Sequence, residues 1–252
     1  MYDLPGYVWA TTLVGVLGIL ALTCLVLYRG AHRAGLGQGS AVLVAGGAAV
    51  LLGVELVINT VLLNANVYHS TPGRVRPWEG VASATIVAVL LASTRIPLVA
   101  RVLAAPGTTA RLALPHAFRI VGAAFLIAMA LGDLPPGFAL PAGLGDIAVA
   151  LAAPSIARKL ARGTGRRAAV WFNVLGTTDL VVAISVGVIG FLVFTGTASN
   201  EPTSQLPLGL IPSAAVPLLI ALHIVSLRQL AAAARAERAP RLAVRDQVAS
   251  RS

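Results

Sequence analysis

The sequence predicts an all-α integral membrane protein, a bundle of about seven transmembrane helices with its N-terminus outside and its C-terminus in the cytosol. Three observations predict it. The chain of 252 residues is 57% hydrophobic and only 11% charged, with a mean hydropathy of +0.86, whereas about a quarter of a soluble domain is charged. Seven apolar runs are long enough, or nearly so, to cross a bilayer. Positive residues gather in alternate connections between those runs. Helices are favoured over a barrel because aromatics make up only 5%. The apolar mass is Ala, Leu, Val and Gly without the strand alternation of a barrel.

A span needs about 20 mostly apolar residues. The first candidate, Tyr7–Tyr28, follows a short segment that contains Asp3 and no Lys or Arg. A secretory signal needs a basic start and a small-residue cleavage site, so this run is read as a retained helix. Ala41–Leu63 is the second span. Val81–Leu103, the third, is interrupted by Arg95 and Pro97, and Ala117–Gly132, the fourth, is short. In the fifth, Phe138–Ala157, the Gly-rich Pro141–Asp146 stretch follows Leu134-Pro-Pro-Gly137, which predicts an unwound helix start. Ala168–Phe194 and Pro207–Leu227 complete the set. Residues 1–238 thus form the transmembrane domain, ending in a helical extension, RQLAAAARAER. Residues 239–252 are expected to be a short, basic, disordered cytosolic tail.

Orientation follows from charge, since Lys and Arg stay on the cytosolic side. One set of connections and flanking helix ends holds seventeen of the nineteen basic residues; the other holds only Arg74 and Arg76. A wrong number of spans would scramble that asymmetry. The Thr195–Leu206 and Asn64–Gly80 loops are therefore expected outside. The net charge of +10 does not mark a nucleic-acid binder, because the basic residues lie between apolar runs rather than on a soluble segment. Eighteen of the nineteen are Arg, which together with abundant Ala and Gly matches the codon bias of a GC-rich bacterium. The expected location is the bacterial inner (cytoplasmic) membrane, with the lipid bilayer as partner.

Several chemistries lack a sequence signal. Cys24 is the only cysteine, so neither an intrachain disulfide nor a thiolate metal site can form. No HxxxH, HExxH or CxxC spacing supports a metal, and no GxSxG or P-loop is present. No span carries a lysine, which removes a retinal Schiff base. Neither cofactor nor oligomeric state has a signal.

The informative residues are those that cost most in lipid, about 2.5–3.5 kcal/mol for an ionisable group near a helix centre. Asp146 lies about 12 Å from the outer end of the fifth span and Asp179 about 15 Å into the sixth, at 1.5 Å per residue. They are predicted at one level, where two nearby carboxyls would share a proton. Ala142, Asp146 and Ala150 form a small-residue face, and Gly176 and Asp179 share another, with Asn173 and Thr177 beside it. Arg95, deep and before Pro97, is expected to pair with Asp179. Arg119 reads as an interfacial residue whose head snorkels to water. His223 reads as a hydrogen-bonded interior histidine, and His32, His69 and His116 as loop or helix-end residues. Glu55 and Asn59, one turn apart, are expected to line an external vestibule or face the bundle. The candidate site is thus Asp146, Asp179, Arg95, Asn173, His223 and Glu55. It fits a carrier or sensor of a small solute or protons, a membrane enzyme using Asp and His, or an accessory subunit whose polar residues tie helices together.

Two weak internal likenesses suggest a duplicated hairpin: Pro97–Leu103 with Pro154–Leu160, and Phe118–Gly122 with Phe172–Gly176. The runs FRIVGAAFL, ALGDLPPGFALPAGLGD, WFNVLGTTDL and PSAAVPLLIALHIVSL, between about Phe118 and Leu227, resemble those of uncharacterised bacterial multi-pass membrane proteins. That resemblance implies the architecture and no catalytic role.

Overall fold

The computed structural model describes residues 4–193 and 199–249, with side chains described for all of these except residue 193 and residues 239–249. Among the described residues, secondary structure is helical apart from one isolated bridge, Thr71 to Arg74. Helices α1 (Gly6–Arg33) and α2 (Gln38–Asn64) form an antiparallel pair joined by a short turn in which Gly35 takes a left-handed conformation (φ 70°). Next come α3 (Trp78–Ser93), α4 (Pro97–Ala104) and α5 (Thr108–Arg111). A 3₁₀ segment, Leu114–Gly122, leads into α6 (Ala123–Ala130). The chain then forms α7 (Pro136–Ala161), α8 (Arg166–Val193), a 3₁₀ turn at Glu201–Ser204 and a π turn at Ile211–Ala215. The last helix is α9 (Val216–Ala249). It runs through Pro240 to Ala249, over most of the stretch for which the sequence predicts a disordered tail. Residues 195–198 of the loop before Glu201, and Asp3, lie outside the described residues.

Among the described residues, six helices are long and apolar enough to cross a membrane, and a seventh crossing is obtained if α3 and α4 are one broken span. These two meet at 82°. The cause is local: Pro97 sits in the first turn of α4 and drives Ile96 into extended backbone (φ −62°, ψ 124°). Arg95 lies at this break and is exposed, not deep inside a continuous third span. The short fourth run becomes a 23-residue span, Thr108–Ala130, because α5 and the 3₁₀ segment extend it. The fifth run is also corrected. It is helical from Pro136 rather than unwound, since a proline at the first helical position forfeits only an N–H that has no intrahelical partner.

Burial divides the bundle. In the last span, Ile211–Arg238, 72% of the most apolar window is buried, against 22% for α2 and α8. Val50, Val57 and Val61 on α2 and Leu175 and Leu192 on α8 are exposed, an apolar surface suited to lipid chains. The last span packs against α3 and α8, and α7 packs against both α8 and the 3₁₀ segment. The internal likenesses do not extend to the backbone. Pro97 starts a helix while Pro154 lies inside one, and Phe118–Gly122 is 3₁₀ where Phe172–Gly176 is α-helical.

Candidate functional site

The polar centre is built on the 3₁₀ segment. A 3₁₀ helix has three residues per turn, so side chains at i and i+3 eclipse. His116, Arg119 and Gly122 therefore fall in one row, and all three are buried. An α-helix would fan the same residues around its axis. Arg119 is the twelfth residue of its 23-residue span, in the middle of the bundle, and has no solvent exposure. It does not snorkel.

All three guanidinium nitrogens of Arg119 are engaged. Nε donates to Asp146 Oδ1 at 2.7 Å, and Nη2 donates to Asp179 Oδ2. Nη1 donates to the Gly176 carbonyl oxygen at 3.3 Å and faces His223 Nε2, also at 3.3 Å. On its other side His223 Nδ1 lies 2.9 Å from Asn173 Oδ1, while Asn173 Nδ2 donates to the Ala169 carbonyl at 2.7 Å. An amide oxygen only accepts, so these partners assign the ring hydrogen to Nδ1 and leave the Nε2 lone pair to Arg119. His223 is stacked on His116 with ring centroids 4.0 Å apart and planes 26° from parallel. Phe172 meets both rings edge-on. Both nitrogens of His116 lack a protein partner.

Glycines make this approach possible. A Cβ on Gly176 would stand 2.5 Å from the His223 ring, one on Gly122 would run into Asp146, and one on Gly145 would overlap the Asp179 carboxylate. The small faces that the sequence places beside the two aspartates are thus where neighbouring helices close on one another.

Four of the six residues expected at a site come together: Asp146, Asp179, Asn173 and His223. The other two do not join them. Arg95 is exposed at the α3–α4 break, so the expected Arg95–Asp179 pair is replaced by Arg119, which serves both acids. The expectation of a proton shared between the acids changes with it, because a guanidinium now stands as their common counter-charge. Glu55 forms a separate group: Asn59 Nδ2 donates to Glu55 Oε1 at 2.8 Å, and the Tyr68 hydroxyl donates to Asn59 Oδ1 at 2.9 Å. It is buried, facing the bundle. The sequence reading missed Arg119 and His116. The signal that could have found them is the three-residue spacing His116, Arg119, Gly122 directly after Pro115.

The family described as Domain of unknown function (DUF8737) matches residues 77–231, more than half of the chain and a stretch that includes every residue of the Arg119 centre. No curated protein and no solved structure matches.

Proposed function

The chain belongs to the DUF8737 family, a domain of unknown function, and from that premise we propose that it carries or senses a proton or small solute at the Arg119–Asp146–Asp179 centre of a seven-span bundle. One observation carries this reading: a single mid-membrane guanidinium is shared by two carboxylates. With the imidazoles neutral, the formal charges leave one negative charge unbalanced. A proton or a small cation completes the set, and its arrival and departure would change what Arg119 can hold. Buried charges that lack a partner are costly enough in lipid to make such a coupling strong.

Access supports the same reading over a purely structural one. An accessory subunit that uses the network as a fastening draws support from the complete enclosure of Arg119. Asp179, however, keeps 18% of its side chain exposed while Asp146 keeps 8%. Asp179 is thus the less enclosed acid of the pair, and the reading takes it as the one that exchanges.

The test uses purified protein in vesicles. Asp146→Asn and Asp179→Asn keep hydrogen-bonding capacity but cannot titrate. Each variant is expected to stay folded in detergent yet lose pH-gradient-driven flux by at least tenfold. Flux unchanged in both variants, or absent from the wild type under every imposed gradient, would transfer the chain to the accessory reading.

The proposal includes a place and an orientation: a bacterial inner membrane, with the C-terminus in the cytosol. The support is the charge asymmetry of the connections, with Arg158, Lys159, Arg162, Arg166 and Arg167 crowded between α7 and α8. A reporter fused after Arg238 should be cytosolic, and one inserted between Asn64 and Trp78 should be external. Both reporters on one side would refute seven spans.

A further inference from the structure

A cavity of ≈ 410 Å³ opens where three pieces of chain meet: the C-terminal end of α2, the connection that follows it, and the 3₁₀ turn Glu201–Ser204 with the residues after it. Such a volume holds a small organic molecule. By the orientation proposed above it lies on the external side, and none of its lining residues belongs to the Arg119 centre. Leu63 and Leu206 supply an apolar wall, and the exposed Asn64 and Asn66 stand at the edge. The polar wall is His69, Glu201 and Gln205.

These three side chains contact one another. Gln205, 8% exposed, directs Nε2 to His69 Nδ1 at 3.1 Å and to Glu201 Oε1 at 3.4 Å. An amide nitrogen only donates, and an amide turned the other way would set its oxygen against the Glu201 carboxylate. His69 Nδ1 is therefore an acceptor, and the ring hydrogen sits on Nε2, 3.2 Å from the same Glu201 oxygen. That tautomer is the neutral one, so His69 stands against Glu201 without cancelling its charge. Among the described residues, no Arg or Lys pairs with Glu201. Oε2 of Glu201 and Oε1 of Gln205 make no hydrogen bond among them either, which leaves two acceptors for a ligand.

The wall thus offers one uncompensated carboxylate and an amide oxygen beside two leucines, and no cationic group. An anion is repelled by that charge, and a neutral solute leaves it unpaired. A small organic ammonium satisfies both halves. Its N–H groups donate to the two oxygens, in hydrogen bonds roughly twice as strong as neutral ones where both partners are ionised. Its carbon body covers Leu63 and Leu206.

We propose that this cavity binds a small organic ammonium ion, an amine with a short apolar body, held by Glu201 Oε2 and Gln205 Oε1. His69 and Gln205 are 136 positions apart in the chain, so no sequence spacing announces the site.

The experiment is thermal melting of the full chain in detergent at neutral pH, titrated with n-butylammonium or phenethylammonium chloride. The matching alcohols and sodium butyrate serve as counterparts at matched ionic strength. A ligand that binds only the folded state raises Tm saturably. At least one ammonium is expected to do so, while the alcohols and butyrate do not. Glu201→Gln keeps an acceptor for His69 and Gln205 but removes the charge, and should raise the half-saturating concentration about tenfold or more. Asp146→Asn should leave it in place, which separates this site from the Arg119 centre. Should Glu201→Gln fail to fold, Gln205→Ala gives the same readout, since it removes one acceptor and the support of Glu201. Melting that neither ammonium shifts saturably would overturn the proposal, as would a rise shared by an ammonium and its alcohol. A rise that Glu201→Gln retains, or Gln205→Ala in its place, would also overturn it, and so would one that Asp146→Asn abolishes.

Discussion

Arg119→Met is expected to be the most damaging single substitution in the bundle. It leaves Asp146 and Asp179 without their common partner in an interior where Arg119 itself has no exposure. Breaking a buried pair by removing one partner typically costs about 3–5 kcal/mol, and here two acids are stranded. The expected readout is a large fall in detergent melting temperature and in the monodisperse yield. Arg119→Lys should fall between, since an ammonium is a point charge and cannot span both acids and the Gly176 carbonyl as a planar guanidinium does. The triple variant Arg119→Met, Asp146→Ala, Asp179→Ala should recover most of the lost stability, because no uncompensated charge remains. Arg95→Met, at the exposed break, should melt with the wild type. A mild effect of Arg119→Met, or an equal one from Arg95→Met, would show that the network does not hold the bundle together.

Gly145→Ala should be the second most damaging. Its new methyl would overlap the Asp179 carboxylate, so either α7 and α8 separate or Asp179 leaves Arg119. Forcing extra volume into a packed interior costs typically about 1–3 kcal/mol. Losing the ion pair would add to that. Gly46→Ala is the matched control: it lies within α2 with nothing within 4 Å of the added carbon. In a helix interior, alanine is favoured over glycine by about 0.8–1.0 kcal/mol, so this variant should melt no lower than wild type. If Gly145→Ala also melted with the wild type, the close approach of α7 and α8 would not be required for stability.

The membrane architecture was legible because lipid imposes it on every residue. A low share of charge, apolar runs near 20 residues and a lopsided distribution of Arg are averages over many positions, and no single contact can alter them. Asp146 and Asp179 were legible for a related reason: a carboxyl in the middle of a span must find a partner inside the bundle, so its position alone points inward. Asn173 followed from its place beside the face of Gly176 and Asp179, and His223 from being a lone polar residue on an apolar span.

The identity of the partner was a different matter. Arg95 and Arg119 are equally basic and both lie in apolar stretches, so composition cannot rank them. Backbone decides between them. Pro97 bends the chain by 82° and leaves Arg95 on the outside. The 3₁₀ segment Leu114–Gly122 extends the next span and turns Arg119 inward in line with His116 and Gly122. For Glu55 the sequence left open a vestibule or the bundle interior, and its link through Asn59 to Tyr68 required the α2–α3 connection to fold back over the bundle. Sequence alone determined what must be buried, because the cost of a polar group in lipid depends on depth and residue type. Only the tertiary structure decided which charges meet, because that depends on local changes of helical pitch and direction that move a side chain from one face of the bundle to another.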